Sequence, residues 1–253
     1  MKLGVALTPR LMREPRRHAV AVVDVLRATS SLVTMFERGL LRALISDSLR
    51  DARQLALRNF SLLCGEAKML PIAGFDYGNS PAEFDALSLK GKSAVLWTTN
   101  GTKALGAAAE SPAVIAAALL NRRAAARRLL EEARTRQLDA MVLCAGLDRG
   151  VAFSLEDTVT AGAIVEAARE TDPEVELTDE AWSAYHLWRW YDGDALRAFG
   201  QASHGRALLT AGFGGDLRFA AQVDAYEMVP VLYDEDGVKT MRARPREKRA
   251  KQA

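Results

Sequence analysis

Short apolar runs alternate with longer amphipathic stretches along most of the chain. Runs at 18–25, 42–46, 61–64, 94–98, 114–117 and 140–144 are almost continuously hydrophobic, as strands covered on both faces must be. Stretches of helical periodicity follow most of them, at 30–38, 49–59, 102–109, 122–136 and 154–169. This order predicts an α/β fold, a three-layer α/β/α arrangement with a largely parallel or mixed sheet. Beyond 169 the pattern changes. Pro173 and Thr178 mark a break, and Trp182, Tyr185 and Trp188 then fall at helical spacing. That helix either packs its aromatic face on the body or makes a subunit contact, as in a homo-oligomer such as a dimer. Shorter helical segments are expected near 205–209 and 217–222. A last apolar run at 228–233 reads as a late strand, placed near a sheet edge because Pro230 has no N–H to give. The chain thus reads as one α/β domain over 1–240, with 150–175 as its one candidate division, followed by a tail at 241–253.

Charge sharpens the picture of the tail. Arg242, Arg244, Arg246, Lys248, Arg249 and Lys251 face only Glu247, so 241–253 is expected to be basic and disordered. The whole chain carries a formal +2, so the remainder is net acidic, which argues against nucleic acid as a partner. No apolar run approaches the ~20 residues of a membrane span, and the N-terminus has charges where a secretory core would lie. A cytoplasmic protein with no membrane association is expected. Cys64 and Cys144 close apolar runs, SLLC and MVLC, and read as buried reduced thiols.

Candidate chemistry collects where strands end and helices begin, the rim at which parallel sheets form their sites. The first junction, DVLRATSS, places Asp24 at a strand exit, then Arg27, then Thr29 and Ser30 at a helix start. A helix N-terminus and a guanidinium fork both suit an anion, although the hydroxyls equally suit capping and Asp24 could pair with Arg27. The second is a glycine-rich loop carrying Glu66, Asp76, Asn79 and Ser80, with Pro81 opening the next helix. The third, TTNGTK, offers Thr99, Asn100, Gly101 and Thr102 as an anion-binding turn. The fourth runs from Cys144 to Ser154, Glu156 and Asp157, where Ser154 and Asp157 also resemble a capping box. Five acids, Asp24, Glu66, Asp76, Glu156 and Asp157, would converge there. Carboxylates of this kind suit Mg²⁺, which relies on one or two of them plus substrate phosphate. The metal is assigned to Asp24 with one or more of Glu66, Asp76 and Asp157. A zinc signature, a P-loop and a Gly-x-Ser-x-Gly elbow are all missing from the sequence.

Taken in order, DVLRATSS, GE…GFDYGNSPAE, TTNGTKAL, CAG…SLEDTVTAGA and SHGRAL followed by Gly212 and Asp216 resemble the 2-phosphosulfolactate phosphatase family. The likeness covers most of the chain. It implies an α/β/α fold and magnesium-dependent hydrolysis of 2-phospho-3-sulfolactate to 3-sulfolactate and phosphate, a step of coenzyme M biosynthesis in some organisms. Arg206 joins the substrate-binding residues on this basis. One departure stands out: family members typically carry an arginine after Gly65-Glu66, where this chain has Ala67, and the nearest cation is Lys68. Asp24, Arg27, Glu66 and Asp76 are the expected catalytic set, with Asp24 either a metal ligand or a nucleophile. The partner is a small anionic phosphorylated substrate. The alternatives are a phosphatase for another phosphorylated hydroxy acid, such as phospholactate or phosphoglycerate, and a non-catalytic binder of anionic metabolites.

Overall fold

In the computed structural model, which describes residues 1–243, this alternation becomes a mixed α/β fold. In chain order the elements are β1 (Lys2–Ala6), β2 (His18–Val23), α1 (Ala28–Glu37), β3 (Arg42–Ile45), α2 (Leu49–Asn59), β4 (Leu62–Ala67) and β5 (Leu70–Pro71). Next come α3 (Pro81–Asp85), β6 (Ser93–Trp97), α4 (Gly101–Ala108), β7 (Ala113–Ala117), α5 (Arg122–Arg136), β8 (Asp139–Cys144) and α6 (Leu155–Thr171). The remainder is β9 (Glu176–Leu177), α7 (Asp179–Trp190), α8 (Ala195–Gln201), α9 (Ser203–Thr210), α10 (Gly214–Ala220), β10 (Pro230–Glu235) and β11 (Val238–Ala243).

All eleven strands join one sheet in the order β5-β4-β6-β3-β11-β10-β7-β2-β8-β1-β9. It holds two parallel sets. One is β4, β6 and β3; the other is β7, β2, β8, β1 and β9. The β10–β11 hairpin bridges them through antiparallel pairs on both sides. Those outer ladders are narrow: Val231 opposite Ile115 on one side, Thr240 opposite Leu44 and Met241 opposite Ala43 on the other. The exits of β2, β4 and β6 line one cavity.

Strand alternation sorts the core into layers. Ala19, Ala21 and Val23 of β2 face a cluster built with Leu129 and Leu130 of α5 and Val159 and Ile164 of α6. Val20 and Val22 face the other way, onto Leu32 and Met35 of α1 and Leu105 of α4. That second cluster also takes Ala43 and Ile45 of β3 and Leu96 of β6, so α1 and α4 are shared by both strand sets. Leu44, Leu63 and Val95 point to the far side, where Ala52 and Ala56 of α2 cover them. Helices thus pack on both faces of each set. Cys64 and Cys144 are buried free thiols, as their apolar runs imply.

Three expectations need correction. β10 lies in the interior of the sheet, not at its edge; Pro230 is tolerated because it is the first strand residue, and the pairing with β7 begins at Val231. The domain boundary at 240 falls inside β11, where Thr240 and Met241 are fully buried; the rest of the expected tail lies outside the described residues. The stretch 150–175 contains α6 (Leu155–Thr171), most of whose residues are buried. The aromatic helix packs on the body through Trp188 and Tyr191, while Trp190 is 76% exposed. Gly162 makes that contact close: a Cβ there would stand 2.0 Å from the Ala184 carbonyl oxygen.

Candidate active site

Asp24 leaves the end of β2 into the turn before α1, and the surrounding chain fixes it from several sides. Its backbone N–H donates to Thr29 Oγ1 at 3.0 Å, and its Oδ1 accepts the Ala28 N–H at 3.3 Å. Among the described residues nothing donates to Oδ2. That oxygen faces the first turn of α4, where a Cβ on Gly101 would lie 2.7 Å from it and 2.4 Å from Ala28 Cβ. Glycine at 101 is therefore what lets α4 start against this carboxylate. Ser30 donates to the Val25 carbonyl at 2.8 Å. Asp157 clamps the neighbouring turns: Oδ1 accepts from Val25 N–H at 2.9 Å and Oδ2 from Gly146 N–H at 3.1 Å, joining the exits of β2 and β8.

Arg27 pairs with Asp216 of α10 at 2.8 Å, not with Asp24. Its second terminal nitrogen donates to the Met69 carbonyl, and the guanidinium lies 4.3 Å from the centre of the Phe213 ring. Asp216 also accepts from Ser80, which in turn caps α3 through the Glu83 N–H. Glu66, near the end of β4, accepts from Thr99 N–H at 2.7 Å, Met69 N–H at 2.8 Å and Thr99 Oγ1 at 3.1 Å. A fixed carboxylate of this kind keeps lone pairs for a further partner.

These groups surround a cavity of about 280 Å³ lined by Asp24, Arg27, Glu66, Lys68, Asn79, Thr99, Asn100, Asp148 and His204, with Leu26, Met69, Leu147, Ser203 and Ala207. His204 donates from Nε2 to the Leu26 carbonyl at 2.9 Å, so the α9 helix reaches over the β2 exit. The Asn79 side-chain oxygen is buried without a partner at this wall. Electrostatics are uneven. Burial pushes the Asp24 carboxyl up to about 6, helped by the charges of Glu66 and Glu156 and opposed by His204. Burial also raises Glu156 and Asp157, the latter well above its usual range with Asp24 and Glu156 adding to the shift.

Of the residues singled out in the sequence, the fold brings Asp24, Arg27, Glu66, Asn79, Thr99 and Asn100 to this cavity. Thr29, Ser30 and Thr102 are instead fully buried, with hydroxyls tied to local backbone. Gly101 and Ser80 support the wall from behind. Asp157 stands one layer back, both oxygens taken by backbone N–H groups. Asp76 is elsewhere: it accepts from Leu63 N–H at 2.7 Å and lines a surface groove with Arg53 and Phe60. Arg206 turns away and donates to the Gln201 carbonyl. Sequence reading assigned no role to His204, Asp216 or Asp148, although each sits in a stretch that carries the family likeness.

Among the described residues, no three His, Cys, Asp or Glu side chains form a group able to hold a metal by themselves. Asp24 and Glu66, with Asp148 at the same cavity, nonetheless fit a hard cation completed by phosphate oxygens, since burial and neighbouring carboxylates raise the proton affinity of Asp24. Among the described residues, no helix is long and apolar enough to cross a membrane.

An α/β sheet that gathers carboxylates, a buried guanidinium and an imidazole at one set of strand exits is the architecture of an enzyme acting on a small polar molecule. Comparison with known proteins makes the class particular. The family model described as 2-phosphosulpholactate phosphatase matches residues 6–235. A protein of Carboxydothermus hydrogenoformans is 33% identical over 238 residues, covering 94% of this chain and 95% of its own. One of Symbiobacterium thermophilum is 39% identical over 214 residues, covering 83% and 89%. One of Synechocystis is 36% identical over 235 residues, covering 91% and 95%. Each is named a probable 2-phosphosulfolactate phosphatase. The chain belongs to the 2-phosphosulfolactate phosphatase family and is a phosphoric monoester hydrolase.

Proposed function

We propose that the protein hydrolyses 2-phospho-3-sulfolactate to 3-sulfolactate and phosphate, and that it does so with Mg²⁺. The substrate comes from the names of its relatives. The observation that carries the chemistry is Asp24, a cavity-lining carboxylate held at a strand end, whose Oδ2 accepts no hydrogen bond among the described residues. The cavity wall holds three carboxylates, Asp24, Glu66 and Asp148, against one lysine, Lys68, unpaired among the described residues at its exposed side, while the Arg27 charge is already matched by Asp216. Such a wall repels a phosphate ester unless a cation enters with it, and this supports the metal. Bound Mg²⁺ would supply charge neutralisation at the phosphoryl oxygens.

Asp24 and Glu66 would hold that ion. Glu66 is oriented for it by Thr99 and Met69. Arg27 lies with Asp24 on the cavity floor, its fork locked by Asp216 and the Met69 carbonyl so that it does not swing with the substrate. His204 stands at the same cavity, fixed by the bond from its Nε2–H to the Leu26 carbonyl.

Phosphate release from 2-phospho-3-sulfolactate, phospholactate and 3-phosphoglycerate, with Mg²⁺ and with excess chelator, tests the reading. The sulfonated ester should be hydrolysed fastest and only with the metal. Full activity in chelator would remove the metal, and no release from any of the three esters would remove the reaction.

A further inference from the structure

Lys68 and Met69 are consecutive non-glycine residues in the left-handed region, at φ 49° and 74°. They form the two-residue turn between β4 and β5, in which Glu66 pairs with Pro71 and Ala67 with Leu70. Turns of this kind favour Asn-Gly or Asp-Gly, because a larger side chain at positive φ crowds its own backbone. The conformation is therefore held from outside, and the cavity groups do the holding. Met69 N–H donates to Glu66 at 2.8 Å, Arg27 donates to the Met69 carbonyl, and Lys68 N–H points to Thr99 Oγ1 at 3.4 Å. Backbone strain fixed by the groups of a site points to a side chain whose placement matters there.

That side chain is a lysine. Lys68 is exposed at the cavity wall, whereas Asp24 and Arg27 are only 7% and 3% exposed on the floor. Arg27 is matched to Asp216, and His204 is bonded to Leu26. Among the described residues Lys68 has no ion pair, so it is the cation of the wall still uncommitted.

We propose that Lys68 is a specificity-determining residue, whose ammonium holds the second acidic group, sulfonate or carboxylate, of a small phosphate ester while the phosphate lies on the floor beside Asp24. This rests on the phosphatase reading above. A reacting phosphate belongs with the buried groups, and a short substrate then extends its other acid toward the rim, where one mobile cation waits. Choosing a doubly acidic ester over a simple monoester is the consequence.

The test uses Lys68→Asn and Lys68→Gly, which remove the charge with residues that tolerate positive φ, together with Lys68→Arg. Thermal midpoints establish that each variant is folded. kcat and KM are measured on 2-phospho-3-sulfolactate and on p-nitrophenyl phosphate, which has no second acid. In the Asn and Gly variants the preference for the doubly acidic ester should fall about tenfold, mainly through KM, the scale of one charge-assisted contact near solvent. Lys68→Arg should restore most of it. An unchanged preference in both uncharged variants overturns the proposal. A wild-type protein that cleaves neither ester overturns the phosphatase reading and the proposal with it, so the two failures are told apart by the wild-type assay.

Discussion

Arg27 and Asp216 stand 189 positions apart in the chain yet meet at 2.8 Å, with side chains only 2% and 3% exposed. Their bond ties α10 to the turn that carries Asp24, so the wall of the cavity and its floor form one unit. Breaking a buried pair from one side strands a charge, which costs about 3–5 kcal/mol. Asp216→Leu should lower stability on that scale in denaturant unfolding. Arg27→Lys keeps the charge but cannot serve Asp216 and the Met69 carbonyl together. It should reduce kcat/KM about tenfold; kinetics equal to wild type would make Arg27 a structural residue alone.

Asp24→Asn should reduce kcat by ~100-fold or more, the effect of removing one preorganised charge from a reacting centre. Asp76→Asn, whose carboxylate serves Leu63 N–H away from the cavity, should stay within a few-fold of wild type. The reverse ranking, measured on proteins with native circular dichroism, would misplace the centre of the chemistry.

The same substitution should stabilise the metal-free protein. The Asp24 carboxyl is raised from 3.8 to about 6 by burial. Between those values the folded chain keeps a proton that the unfolded chain releases, so stability is lost as pH rises through this window and stays lost above it. Asp24→Asn never ionises. In chelator at pH 8 it should unfold several degrees above wild type, on the order of 3 kcal/mol, and the gain should vanish near pH 4. A lower midpoint at pH 8 would show that the charge is satisfied in the folded state.

Gly101→Ala probes the close approach of α4. Its methyl would fall 2.4 Å from Ala28 Cβ and 2.7 Å from Asp24 Oδ2, against backbone-anchored neighbours that have little room to move. Phosphatase activity should drop at least tenfold, of the order of the loss when a reacting group is misplaced by about 1 Å. An active Gly101→Ala would mean that Asp24 can turn away without loss.

The hairpin can be tested by truncation. Ending the chain at Lys239 removes Thr240 and Met241, both fully buried, and with them the hairpin's pairing to β3. That protein should be markedly less stable than one ending at Ala243; equal midpoints would show that the bridge contributes nothing.

Most strands and helices were legible because doubly covered strands are apolar and their crossover helices are periodic. β11 was hidden by its charges: Arg242 opened the basic run that made 241–243 look like tail, but Arg242 pairs with Glu235, and Lys239 of the same strand with Asp47. β1 escaped notice because KLGVA is short and precedes a basic stretch. In the site, Asp24, Arg27 and Glu66 could be found because each follows or ends a strand. Thr29 and Ser30 had the right position but the wrong direction, since local spacing does not tell a hydroxyl facing a ligand from one bonded to the Val25 carbonyl. His204 and Asp216 lay in stretches that carry the family likeness, but nothing local showed their roles; their partners, Leu26 and Arg27, lie near the other end of the chain.

The bridging hairpin also has a consequence for synthesis. β4, β6 and β3 are complete by Trp97, and the other set by Leu177, yet within the described sheet β3 and β7 are joined through the β10–β11 hairpin, Pro230–Ala243. During translation two partial sheets must wait for this segment with their inner edges unpaired. Unpaired strand edges on a nascent chain invite association with other chains, and contacts this distant in sequence form slowly. Recovery of soluble protein in the cell should therefore depend on how long those edges stay open, a kinetic demand distinct from the stability of the finished fold.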